Sequence, residues 1–176
     1  MRIIAGKYKG KKLALPKTEK TRPTADMVKQ ALFTKLFDAV VDCHFLDLFA
    51  GSGSIGIEAL SRGAKEVVFV DKEYDAIALI KKNLEMLEGN YTIHKNDFKV
   101  FLNSTDKKFD LIFIDPPYES GFYAEALKLI FEKKVLCENG IIICEHEKTN
   151  PLQQDYFEVF DIKTYGIKML TYLKNK

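Results

Sequence analysis

The chain has 176 residues, 47% of them apolar and 30% charged, with a formal net charge of +2. That length suits one α/β domain with a full core and is short for two, and the composition excludes a disordered chain. No apolar run approaches the ~18–20 residues that span a bilayer, and lysines rather than a long apolar stretch follow Met1-Arg2-Ile3-Ile4, so neither a membrane span nor a signal peptide is expected.

The charge is unevenly placed. Residues 1–35 hold ten Lys/Arg against Glu19 and Asp26, a net of +8, which leaves −6 for the rest. A basic end on an acidic body is the pattern of a segment that meets a polyanion such as nucleic acid, with an ordinary solvated face as the alternative. Arg2, Lys7, Lys9, Lys11, Lys12 and Arg22 are the candidate RNA-binding residues. Arg2–Ala5 and Lys11–Leu15, separated by Gly6 and Gly10, read as a small basic β-hairpin, and Pro16 and Pro23 punctuate the linker after it. Thr24 then caps a predicted helix running to about Phe37, with Val28, Ala31, Leu32 and Leu36 on one face.

From Cys43 onward strands and helices alternate. Strands are predicted at His44–Phe49, Glu66–Asp71, Tyr91–Lys95, Phe109–Ile114 and Gly140–Glu145, with helices at Ser54–Ser61, Tyr74–Leu87, Asp97–Leu102 and Phe122–Lys133. Repeated β-α units imply a mostly parallel sheet covered on both faces, and runs such as Ile141-Ile142-Ile143 are apolar at every position as that burial requires. Tyr156–Lys163 and Lys168–Lys174, joined near Tyr165-Gly166 without a helix, predict an antiparallel hairpin at one edge. One domain is expected over 1–176, with 1–23 as the basic extension and 24–176 as the α/β core. Cys43, Cys137 and Cys144 read as free thiols, and no CxxC or HxxxH spacing supports a metal site.

In an open α/β sheet, ligands bind beyond the carboxyl ends of the strands where strand order reverses. The first strand runs through Asp47, Phe49 and Ala50 into Gly51-Ser52-Gly53-Ser54-Ile55-Gly56, whose glycines let backbone approach a ligand. Asp71, twenty residues after Gly51 and followed by Lys72, is spaced to accept from both hydroxyls of a ribose. NAD and S-adenosylmethionine both fit this spacing. Asp47 favours S-adenosylmethionine, because a carboxylate there repels a pyrophosphate and attracts a cationic amino-acid end. Asn96 and Asp97 are placed to accept from an adenine amino group, with a helix cap as the alternative for Asp97.

Asp115-Pro116-Pro117-Tyr118 follows the apolar run Phe109–Ile114. Two prolines cannot continue a central strand, so a rigid loop leaves the sheet there. An exocyclic amino group on a base is a poor nucleophile, since its lone pair is delocalised into the ring. The Asp115 carboxylate and the Pro116 carbonyl supply two acceptors for its hydrogens, and Tyr118 supplies a stacking face. Methyl transfer to an amino nitrogen is the chemistry that fits; a stiff strand-ending turn is the bland alternative.

These residues resemble the bacterial 16S ribosomal RNA guanine-N2 methyltransferase family (RsmD-like), within the class I, Rossmann-like methyltransferase fold. The resemblance runs from Arg2-Ile3-Ile4-Ala5-Gly6 and Lys9-Gly10-Lys11 through Thr21-Arg22-Pro23-Thr24 and Val28–Phe33 to Asp47–Gly53, Gly56–Ala64 and Asp115–Tyr118. It implies a seven-stranded sheet with an antiparallel strand at its end, S-adenosylmethionine as cofactor, and a cytoplasmic enzyme. Its implied substrate is a guanine of 16S RNA in a partly assembled small ribosomal subunit, with no obligate protein partner. A DNA amino-methyltransferase and a non-catalytic RNA-binding assembly factor are the competing functions. One departure stands after Tyr165-Gly166, where Ile167 and Lys168 replace the small polar or acidic residue common in the family.

Overall fold

The computed structural model describes residues 1–16, 23–117 and 121–176. In chain order these form α1 (Pro23–Lys35), β1 (His44–Asp47), α2 (Ser54–Ser61), β2 (Glu66–Asp71), α3 (Tyr74–Leu84), β3 (Tyr91–Lys95), α4 (Phe98–Ser104), β4 (Phe109–Ile114), α5 (Phe122–Glu132), β5 (Leu136–Glu147), β6 (Glu158–Tyr165) and β7 (Lys168–Lys174). One seven-stranded sheet takes the order β3-β2-β1-β4-β5-β7-β6. β1 to β5 pair in parallel, and β7 runs antiparallel to β5 and β6. The reversed strand therefore lies one place inside the edge, which β6 occupies. Among the described residues no helix is long and apolar enough to cross a membrane, and no cluster of three His, Cys, Asp or Glu side chains could hold a metal ion.

Side-chain alternation along the strands builds two cores. Phe45, Phe69, Phe113 and Ile143 join the layer containing α1, α2 and α3, while Leu46, Val68, Ile112 and Ile142 join the layer of α4 and α5. Burial on both faces explains why these strands are apolar throughout. The bounds of α2, β2, β3 and β4 coincide with the expected ones. α1 begins at Pro23 rather than beyond a Thr24 cap, proline being suited to the first helical position. β5 starts at Leu136 rather than Gly140, because Leu136 pairs with Phe109 ahead of a register shift.

The basic hairpin expected from Arg2–Ala5 and Lys11–Leu15 does not form as two strands. A single isolated antiparallel bridge joins Arg2 to Lys12. Competition from α2 is the reason. The Ile4 and Ala5 N–H groups donate to the Glu58 carboxylate at 2.8 and 3.0 Å, and the Tyr8 N–H donates to Ser61 Oγ at 3.0 Å. Gly6 sits at φ +81°, where a Cβ would stand 1.8 Å from the Ser61 carbonyl oxygen. Glu58 is buried and also faces Lys29 at 3.4 Å and Arg62 at 2.9 Å. Burial pushes the Lys29 pKa down, with the Glu58 charge opposing it. The amino-terminal segment is thus bonded to the body of the domain.

Candidate active site

Strand order reverses between β1 and β4, and the loops leaving these two strands part there. A cavity of about 820 Å³ opens at the carboxyl ends of the parallel strands. Asp47 closes β1 against it, almost wholly buried, its Oδ2 accepting from the Gly56 N–H at 2.9 Å. Burial raises the Asp47 carboxyl to about 7, the Gly56 hydrogen bond opposing the rise and the Asp71 charge adding to it. No salt bridge among the described residues includes Asp47.

The loop after β1 brings Phe49, Ala50, Gly51 and Ser52 to the cavity wall. Gly51 adopts φ +53° with nothing within 4 Å of where a Cβ would stand, so backbone alone faces the cavity, and its N–H donates to Asp71 Oδ2 at 2.9 Å. Gly53 and Gly56, expected from their spacing to bind the cofactor, do not line the cavity and stand behind this wall. Gly53 caps α2 at φ +75°. A Cβ on Gly56 would lie 2.3 Å from the buried Phe69 ring, so this glycine serves the close packing of α2 on β2. Gly56→Ala is expected to destabilise the fold by about 1–3 kcal/mol through overpacking. A urea midpoint equal to wild type would refute that reading.

Asp71 and Lys72 line the wall at the end of β2, where Asp71 Oδ1 accepts from the Glu73 N–H at 2.9 Å. After β3, Asn96 and Asp97 also reach the cavity. The Asp97 carboxylate caps α4 by accepting from the Lys99 N–H at 2.9 Å, so cap and cavity wall coexist in one residue. At the end of β4, Asp115 is half-buried, Pro116 buried and Pro117 exposed, and all three line the same cavity. Tyr118 and Arg22 lie outside the described residues.

Several wall residues escape the sequence reading, among them two aromatic rings, an ion pair and the buried Lys29. Phe98 of α4 and Phe122 of α5 stand 5.1 and 6.3 Å from Phe49, ring centre to ring centre, and make an aromatic side to the cavity. Both look like ordinary core phenylalanines in the sequence. Glu145 of β5 and Lys168 of β7 line it as well, 3.2 Å apart. Lys168 had a signal, as the departure after Gly166.

Arg2, Lys7, Lys9, Lys11 and Lys12 are all exposed. Lys7 Nζ pairs with Glu88 at 3.0 Å, Lys11 Nζ donates to the Met86 carbonyl at 2.8 Å, and both ammonium groups lie near the Tyr8 ring. Met1, Leu15 and Pro16 of the same segment line the cavity, so these cations belong to the segment that forms part of its wall. A buried carboxylate, a second carboxylate beside a glycine turn, and aromatic rings suit a ligand with a cation, vicinal hydroxyls and a flat heterocycle.

The family model described as conserved hypothetical protein 95 matches residues 1–174. The chain is 38% identical over 174 residues to the ribosomal RNA small subunit methyltransferase D of Haemophilus influenzae, covering 95% of this chain and 90% of that one. The solved structure of a hypothetical protein from Thermus thermophilus superposes with a TM-score of 0.83 at 28% identity, covering 99% of each chain. The 16S rRNA N2 G1207 methyltransferase RsmC of T. thermophilus, solved with AdoMet and guanosine, shares the fold at a TM-score of 0.68 and 19% identity, over 91% of this chain and 45% of that one.

Proposed function

Because the chain belongs to the family described as conserved hypothetical protein 95, we propose that it is an S-adenosylmethionine-dependent ribosomal RNA methyltransferase acting on the exocyclic N2 of a guanine in the small ribosomal subunit. The observation that carries this reading is the meeting of Asp115-Pro116-Pro117 with Asp47 and Asp71 on one cavity. The name of the H. influenzae relative supports the RNA class, and the ligands of the T. thermophilus enzyme support the cofactor and the base.

Asp47 would hold the cationic amino-acid end of the cofactor, Asp71 its ribose, and Asn96 and Asp97 its adenine amino group. The cofactor supplies a methyl group on a cationic sulfonium, a good leaving group. The Asp115 carboxylate and the Pro116 carbonyl accept the two amino hydrogens of the guanine and turn the nitrogen lone pair toward the methyl. Proline rings fix φ and make that carbonyl rigid. Most of the rate gain then comes from alignment, which orients the acceptor before reaction. Asp115 can take the proton that the nitrogen sheds once the N–C bond has formed. Arg2, Lys7, Lys9, Lys11 and Lys12 would meet RNA phosphates beside the cavity.

Transfer of labelled methyl to small subunits lacking the modification, beside naked 16S RNA and duplex DNA, tests the proposal. N2-methylguanosine in digests of the subunits is the expected result. Label in DNA alone, or a different methylated nucleoside, would overturn it.

A further inference from the structure

The acceptor end of the cavity carries two opposite charges that the reaction above leaves unused. β4 and β5 pair in parallel with Ile114 opposite Cys144. Asp115, just past the end of β4, and Glu145, within β5, are each one residue further along and therefore stand side by side, since adjacent strands lie ~4.8 Å apart. Lys168 pairs in register with Glu147 across β5 and β7, and its ammonium stands 3.2 Å from the Glu145 carboxylate. The Lys168 and Glu145 side chains are 21% and 16% exposed, and both share the cavity wall with Asp115. The Tyr123 hydroxyl donates to the Glu145 carbonyl and anchors this part of β5 to α5.

An ion pair this far out of water adds little net stability, because desolvation of the two charges offsets their attraction. Beside Asp115, however, it sets out an acceptor, a second acceptor and a donor in sequence. The Watson–Crick edge of guanine shows the complementary series: the 2-amino group, N1–H and the O6 carbonyl. Resting on the guanine reading above, we propose that Glu145 and Lys168 select the target base, Glu145 accepting from N1–H and Lys168 donating to O6 while Asp115 holds N2. A carboxylate accepts through two oxygens and an ammonium donates through three hydrogens, so their mutual contact is compatible with meeting a base. Adenine would set its bare N1 against the carboxylate and its amino group against the ammonium, leaving buried polar groups mismatched.

2-Aminopurine separates selection from chemistry, since it keeps the 2-amino group and lacks both N1–H and O6. Small subunits are reconstituted with guanine or 2-aminopurine at the mapped target position, and kcat/KM is measured for each. Wild-type protein should prefer guanine by about 10–100-fold. The double variant Glu145→Met, Lys168→Met, which removes both the acceptor and the donor, should lose that preference while keeping wild-type S-adenosylmethionine affinity and melting temperature. A double variant that binds cofactor normally and still prefers guanine as wild type does would overturn the assignment. Should the variant fail to fold, the wild-type ratio decides: equal use of both bases also overturns it. Absence of N2-methylguanosine from wild-type reactions on unsubstituted subunits is a separate result, which defeats the proposed function and this inference with it.

Discussion

Asp47→Asn will make the protein more stable above neutral pH and weaken its binding of S-adenosylmethionine at least about 30-fold. Burial raises the Asp47 carboxyl to about 7 from its ordinary 3.8. Between those values the folded protein keeps a proton that the unfolded chain has lost. Stability from this group is therefore full below about pH 4, falls as pH rises to about 7, and is level above. The loss at pH 8 is on the order of 4 kcal/mol. Asparagine keeps an oxygen for the Gly56 N–H and cannot ionise, so the variant lacks that slope; after the cost of its own buried amide it should gain about 1–3 kcal/mol at pH 8. Urea midpoints at pH 5 and pH 8 decide the matter, and parallel slopes in both proteins would refute it. Cofactor binding runs the other way. A bound cation favours the carboxylate, so wild-type affinity should climb as pH rises through about 7 and then level. The variant should bind at least about 30-fold more weakly, as loss of one partner from a buried charge pair implies, and show no such pH dependence.

Asp115→Ala will lower kcat by about 10²–10³-fold, the range seen when one preorganised polar contact to a reacting group is removed, while S-adenosylmethionine affinity stays within a few-fold of wild type. The argument is geometric. Asp115 leaves β4 where Pro116 and Pro117 stop the strand, on the cavity that also holds Asp47. Without its carboxylate one amino hydrogen of the base loses its acceptor, and the lone pair is no longer held toward the methyl. Single-turnover methylation separates this from weaker RNA binding. A rate equal to wild type at saturating RNA would overturn the role given to Asp115, and an unfolded variant is distinguished by its melting temperature.

The parts that proved legible in the sequence are those with local causes. Strand-forming runs bounded by turn residues located β2, β3 and β4 to the residue, and the Asp-Pro-Pro segment located the end of β4 because proline stops a strand whatever surrounds it. That Asp47, Asp71, Asn96, Asp97 and Asp115 share one cavity wall was readable because each follows or ends a parallel strand, and such ends meet on one side of the sheet. The glycine spacing was readable as a pattern but not as a division of labour. Gly51 faces the cavity, whereas Gly56 faces Phe69, a partner set by how α2 lies on β2.

What the sequence determined by itself, then, was the order of elements, the two-sided burial of the sheet and the acidic residues at its carboxyl edge. Only the tertiary structure decided that the amino-terminal segment gives its N–H groups to Glu58, 54 residues from Ile4, in place of a full hairpin. It alone decided that Lys29 is buried beside that carboxylate, that Phe98 and Phe122 face the cavity, and that Glu145 meets Lys168. Periodicity and turn chemistry act over a few residues and are written in the chain. Contacts between distant segments depend on strand order and register, which are settled only when the whole sheet closes on its two cores.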